Sequence, residues 1–196
     1  MTQYPTRTTG ELVDQDDWEA LEARIDEGTR PVQVLTGAGN PDFLDIDLAS
    51  YDKLRVYVRS RSTGTINHYD LEAGFRDAGV SINVDGIRRE VTTAGLAVGT
   101  PSNVPWVPVG ISPGADATVA SWWGFAVIDI DLRAGRPSLM AKGSGIWSTE
   151  DFDVKTHETE VHSRELSPAT LRLRNGIGSE PFETATIVEV YAVPSE

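Results

Sequence analysis

The 196-residue chain contains no cysteine. Disulfides and thiolate metal sites are therefore closed to it, which excludes the small cysteine-stapled secreted scaffolds. Positive charge is scarce as well: 17 lysines and arginines face 30 aspartates and glutamates, for a formal net charge of −13. Such a chain repels phosphate backbones, and its basic residues form no long run, so no nucleic-acid partner is expected. Apolar runs are short throughout. None approaches the roughly 18 residues a membrane-crossing helix requires, so no membrane insertion is expected. Residues 1–20 lack the charged start and apolar stretch of a signal peptide, and the expectation is a soluble chain made in a cytoplasm.

What the chain does have is a strand pattern repeated from about residue 43 to residue 193. Leu44-Asp45-Ile46-Asp47-Leu48, Leu54-Arg55-Val56-Tyr57-Val58-Arg59 and Ile128-Asp129-Ile130-Asp131-Leu132 alternate apolar and polar residues. Successive strand side chains point to opposite faces, so each segment has one core face and one wet face. Turn residues cut the segments at short intervals. The pattern predicts an all-β antiparallel sandwich or jelly roll. At this length a single such domain buries roughly 70% of its unfolded surface, enough for a core without staples.

Two parts are expected. Residues 1–30 read as a polar arm followed by a short helix, capped at Asp14, with Trp18, Leu21 and Ile25 on one narrow stripe and Gly28 at its end. Three apolar residues cannot hold a lone helix in water, so this stripe is a candidate docking surface. Residues 31–196 form the β domain. Strands are expected near 32–35, 43–48, 53–60, 68–75, 80–84, 122–132, 139–142, 145–148, 156–162, 169–174 and 182–193. Asp85-Gly86 reads as a two-residue hairpin turn. Residues 94–118, punctuated by Pro101, Pro105, Pro108 and Pro113, read as loop-rich.

Three arrangements could carry chemistry, and each has a plainer explanation. Gly110-Ile111-Ser112-Pro113-Gly114 matches the G-x-S-x-G nucleophile pattern, but Pro113 has no N–H to offer an oxyanion, and a turn is expected. His157 and His162 are five apart, not the four of a zinc-binding H-E-x-x-H helix, and a strand would aim them to opposite faces. An exposed polar strand is the expectation there. Asp129 and Asp131 share a strand face at a spacing that could suit a glycosidase acid pair or a calcium site. Asp45 and Asp47 repeat that pattern, so a wet sheet face explains both. No catalytic residue, metal or cofactor is expected, and the chain is read as a non-enzyme.

Tryptophans gather in the second half: Trp106, Trp122, Trp123 and Trp147. Adjacent Trp122 and Trp123 must face opposite ways in a regular strand, so at most one is core. Trp106, Trp122 and Trp123 are therefore candidate interface or glycan contacts. The last strand, Ile187-Val188-Glu189-Val190-Tyr191-Ala192-Val193, is apolar on both faces except for Glu189. A strand of that kind is covered on both sides or meets a neighbouring subunit.

Tyr51-Asp52-Lys53-Leu54-Arg55-Val56-Tyr57-Val58-Arg59-Ser60-Arg61 resembles the Y-x-x-L-x-L-x-V-R-x-R strand of jelly-roll virion proteins of tailed bacteriophages. Leu71 to Asp77 stands where their next strand ends in a Phe-Asn-Gly-Asp-like turn, and Phe125 to Ile130 resembles their long middle strand. Thr170-Leu171-Arg172-Leu173, with Phe182-Glu183-Thr184 and Val190-Tyr191, is similar to their closing strands, Ala192 standing in place of a glycine. The resemblance implies a head-spike, fibre or tail-appendage protein located in the virion. Its partners would be further copies of itself, as a trimer or pentamer, and other virion proteins, docked through the N-terminal segment. A carbohydrate-binding module that helps attachment to a host-surface glycan is the alternative.

Overall fold

A computed structural model of the chain describes residues 30–66, 68–92, 94–115, 123–133, 136–146, 154–164, 168–176 and 180–194. The expected helix stripe of Trp18, Leu21 and Ile25 lies outside the described residues, as do Trp122 and Trp147. The described residues are all-β. The strands are β1 (Gln33–Thr36), β2 (Phe43–Asp47), β3 (Lys53–Ser60), β4 (His68–Asp77), β5 (Val80–Ser81), β6 (Val84–Thr92) and β7 (Gly95–Gly99). They continue with β8 (Val107–Pro113), β9 (Gly124–Asp131), β10 (Ser138–Ile146), β11 (Val154–Ser163), β12 (Thr170–Asn175) and β13 (Ile187–Ala192).

All pairings are antiparallel. One sheet has eight strands in the order β1-β13-β3-β9-β10-β11-β6-β7. The other runs β2-β12-β4-β5, with β8 also paired to β4. The connectivity nests: β1 pairs β13, β2 pairs β12, β3 pairs β9 and β4 pairs β8, with successive pairs alternating between the two sheets. Outside this nest, β6, β7, β10 and β11 widen the eight-stranded sheet, and β5 extends the smaller one.

Alternation in the sequence dictates which side chains meet. In β3, Leu54, Val56 and Val58 are buried while Arg55, Tyr57 and Arg59 are exposed. Leu44 and Ile46 of β2, Leu71, Ala73 and Phe75 of β4, and Leu171 and Leu173 of β12 come from the smaller sheet. They share one core with Val56, Ile128, Ile130, Leu139, Val161, Val188 and Val190 of the larger. The two sheets thus pack as a β-sandwich around a single apolar layer. Glycines allow β8 to lie directly on the larger sheet. A Cβ at Gly143 would strike the Val109 carbonyl oxygen and come within 2.6 Å of Gly110 Cα.

Several expectations are corrected. Asp85-Gly86 is not a turn but the interior of β6, where Gly86 faces Val161 of β11. The actual tight turn is Ala78-Gly79, both at positive φ, between β4 and β5. Residues 94–118 contain two strands, β7 and β8. Pro108 and Pro113 are tolerated because, among the described residues, β8 has a sheet partner on one side only, so a missing N–H costs no ladder bond on the other. Gly110 to Pro113 is therefore strand, not turn. The two segments expected at 139–142 and from 145 onward belong to one strand, β10, described as far as Ile146, and the strand expected from Trp122 is described from Gly124.

Candidate functional site on the outer face of the large sheet

Strand register lines up the outward side chains of the eight-stranded sheet in rows. One row crosses all eight strands: Val34, Glu189, Tyr57, Val127, Lys142, Glu158, Arg89 and Val98. A second row, beside it, contains Ile187, Arg59, Phe125, Ser144, Thr156, Val91 and Leu96. On the other side run Tyr191, Arg55, Asp129, Met140, Glu160 and Ile87. Tyr57, Phe125, Val127 and Met140 are exposed here, Phe125 at 55% and Met140 at 57%. Monomeric surfaces rarely gather so many large apolar side chains in one field.

The charges on this face are matched within it. Arg55 grips Asp129 through Nε at 2.6 Å and Nη2 at 3.3 Å, which raises the guanidinium above its ordinary value. Lys53 lies 3.3 Å from Asp131, and Lys142 donates to Glu158 at 2.8 Å. The Lys142 bond holds the Glu158 carboxyl below its usual range. Lys53, Arg55, Arg59, Arg89, Lys142 and Arg164 thus balance Asp85, Asp129, Asp131, Glu158, Glu160 and Glu189. The excess negative charge of the chain lies elsewhere. Tyr57 and Tyr191 meet edge to face with centroids 5.6 Å apart, and a shallow hollow beside them is floored by Phe125, Val127 and Ile187.

Of the expected contact residues, Trp123 borders this face and Trp106 does not. Arg59 stacks over the Trp123 ring at 4.0 Å and Arg61 approaches it at 5.6 Å. The R-x-R spacing puts both guanidiniums on one side of the strand end, and Phe125, two residues on, continues the row. Arg61 itself is buried and ion-paired to Glu183 at 3.1 Å. Trp106 lies against the outer side of the smaller sheet, under Arg174 at 4.1 Å, where Gly74 leaves room for its ring. The two rings cover different sheets and form no common platform. Tyr57, Phe125, Val127 and Met140 were not singled out from the sequence. Each is an apolar residue at the wet position of an alternating strand, and that violation of the pattern was the available signal.

The three chemical candidates do not converge. Ser112 is fully buried in β8, and its hydroxyl has no hydrogen-bond partner. His157 and His162 do point to opposite faces of β11, but the strand is not an exposed polar one: His157 is wholly buried. Its Nε2 sits 3.3 Å from Asp70 Oδ1, and Lys155 Nζ lies 3.1 Å from Asp70 and 3.4 Å from Glu90. Burial would raise the Asp70 carboxyl, but the His157 hydrogen bond and the Lys155 charge outweigh it and hold it at about 2. Asp45 pairs with Arg172 through two bonds, as Asp129 and Asp131 pair with Arg55 and Lys53, whereas Asp47 accepts the Ala49 N–H. Among the described residues, no group of three or more His, Asp or Glu side chains is placed to hold a metal ion. No helix of the described residues is long and apolar enough to cross a membrane. Comparison with family models, curated proteins and solved structures finds no match to this chain.

Proposed function

We propose that the chain is a structural, self-associating component of a tailed-phage-like virion, with the outer face of the large sheet as its subunit interface. The observation that carries this reading is the field of exposed Tyr57, Phe125, Val127 and Met140 on a face whose charges cancel. Two copies with a net charge of −13 each repel over most of their surfaces, and a neutral apolar face is where they can approach. The nested pairing β1·β13, β2·β12, β3·β9 and β4·β8 supports a jelly-roll reading, because a folded-over eight-strand hairpin rolled across two sheets is that topology. The copies would close into a ring of three or five, with residues 1–30 docking the ring to the particle, and the chain would carry no enzymatic activity.

The test is native mass spectrometry or sedimentation of the intact chain at micromolar concentration. The expected result is a closed oligomer, and Phe125→Glu should break the ring contact while leaving the circular dichroism of the sheets unchanged. A strictly monomeric wild-type chain overturns the reading. Removing residues 1–28 should leave the domain folded and abolish particle incorporation; an unfolded product would assign that segment to the core instead. A glycan-binding role remains as a second reading because Tyr57, Tyr191 and Phe125 stand exposed or half-buried beside Arg55 and Glu189. Calorimetric titration with host-surface polysaccharide, compared with Tyr57→Ala, distinguishes it.

A further inference from the structure

The eight-stranded sheet ends differently on its two sides. At β1 the side-chain amide of Gln33 donates to the Asp47 carbonyl at 2.8 Å and accepts from the Asp47 N–H at 3.0 Å. That mimics a ladder rung and stitches this edge to β2 of the smaller sheet. At β7, among the described residues, no strand lies beyond. All of Gly95 to Val98 is exposed.

Natural sheets blunt a bare edge with lysine, proline, a bulge or an inward charge. β7 has none of these: Gly95-Leu96-Ala97-Val98-Gly99 is uncharged, and its register with β6 is unbroken. Leu96 and Val98 are 64% and 61% exposed, and Val91, opposite Leu96 on β6, is exposed too. The segment is also close to palindromic. Turned about a two-fold axis at Ala97, it pairs with its own copy with Leu96 against Val98, Ala97 against Ala97 and glycine against glycine. No charge opposes another in that register. Leu96 and Val98 lie on the same face as Val91 and Arg89, so the two sheets would continue as one surface with a shared apolar seam.

We infer that β7 joins two copies of this chain by antiparallel edge pairing centred on Ala97. The inference rests on the self-association proposed above and adds a second contact to it. The ring contact uses Tyr57 and Phe125 on the half of the sheet that carries β3 and β9, whereas the edge contact lies at the far end. Both can be made at once, and the edge contact doubles the ring.

The absence of cysteine allows a direct test, because a single introduced thiol reports one position. Ala97→Cys, Leu96→Cys and Val98→Cys are oxidised separately in the full-length chain, with Val80→Cys as an exposed control at 69%. In the proposed register, opposed Cα atoms at position 97 are about 5 Å apart, within disulfide reach. Those at 96 or 98 stand roughly 8 Å from their own copies, beyond it. The expected result is a covalent dimer from Ala97→Cys alone, at least ten times the yield of the others, with Leu96→Lys halving the native mass. Equal yields at all four positions overturn the inference, as does an oligomer that neither cross-links at 97 nor responds to Leu96→Lys. In both cases the ring reading still stands, since Phe125→Glu tests it separately. A monomeric wild-type chain overturns both.

Discussion

The Asp70 carboxylate of β4 lies 3.1 Å from the Lys155 ammonium of β11, an ion pair that ties the smaller sheet to the larger one. His157, fully buried one turn of the pleat away, completes the contact on the same carboxylate oxygen. Asp70 titrates normally near 3.8 and is held at about 2 in the fold. The folded state therefore binds fewer protons than the unfolded state between these values. The stability from this contact is complete above the unfolded value and is lost as pH falls from about 4 to about 2. Urea unfolding across that window should show the wild-type midpoint falling, while Asp70→Asn, already weaker at neutral pH by about 1–3 kcal/mol, falls less steeply. Parallel pH profiles for the two chains would assign the acid sensitivity to other carboxylates.

Gly86 is set by packing, not by a turn. A Cβ there would collide with the Glu160 carbonyl oxygen and approach Val161 Cα to 2.7 Å, both on the neighbouring strand. Gly79 has the positive φ of a true turn, but nothing lies within 4 Å of its missing Cβ. Gly86→Ala should cost about 1–3 kcal/mol or more by forcing β6 from β11, and Gly79→Ala about 1 kcal/mol of backbone strain. Thermal denaturation of the two variants ranks them, and the reverse order would return Gly86 to a turn role.

Ser112 buries a hydroxyl with no partner. Replacing it with alanine removes a desolvated polar group of nearly the same size, so Ser112→Ala should leave stability unchanged or raise it by about 1 kcal/mol. It should also leave any ester or glycan hydrolysis measured for the chain unchanged. Loss of a measurable turnover in this variant would restore the G-x-S-x-G reading.

Strand existence was legible because alternation is local: Leu54, Val56 and Val58 announce a buried face within six residues, and β3 occupies the expected span. Which strands neighbour each other was not legible, since β1 meets β13 across most of the chain and no short window records that pairing. Asp85-Gly86 misled for a definite reason. Asp85 accepts from Ser102, the Asn103 N–H and Arg164, which pull its carboxyl below the usual range, and the glycine beside it clears space for Val161. Both residue types that ordinarily make a turn are used here for tertiary contacts. The prolines at 108 and 113 hid β8 in the same way, because a strand with one partner does not need every N–H. On the candidate face, Tyr57 and Phe125 were read as part of strands, and only the register that aligns them with Ile187 and Val127 makes them a surface.

Nested pairing has a consequence for synthesis. β1 is made first among the described strands and its partner β13 last, so the large sheet cannot be finished until residues 187–192 have left the ribosome. Until then β3 lacks one of its two neighbours in that sheet, and β1 has none. Of the four nested pairs, β4 with β8 is the innermost, and both its strands are complete once residue 113 has emerged. A product that stops before β13 leaves β1 without its sheet partner and one side of β3 bare, the kind of exposed strand that chaperones retain and that otherwise aggregates.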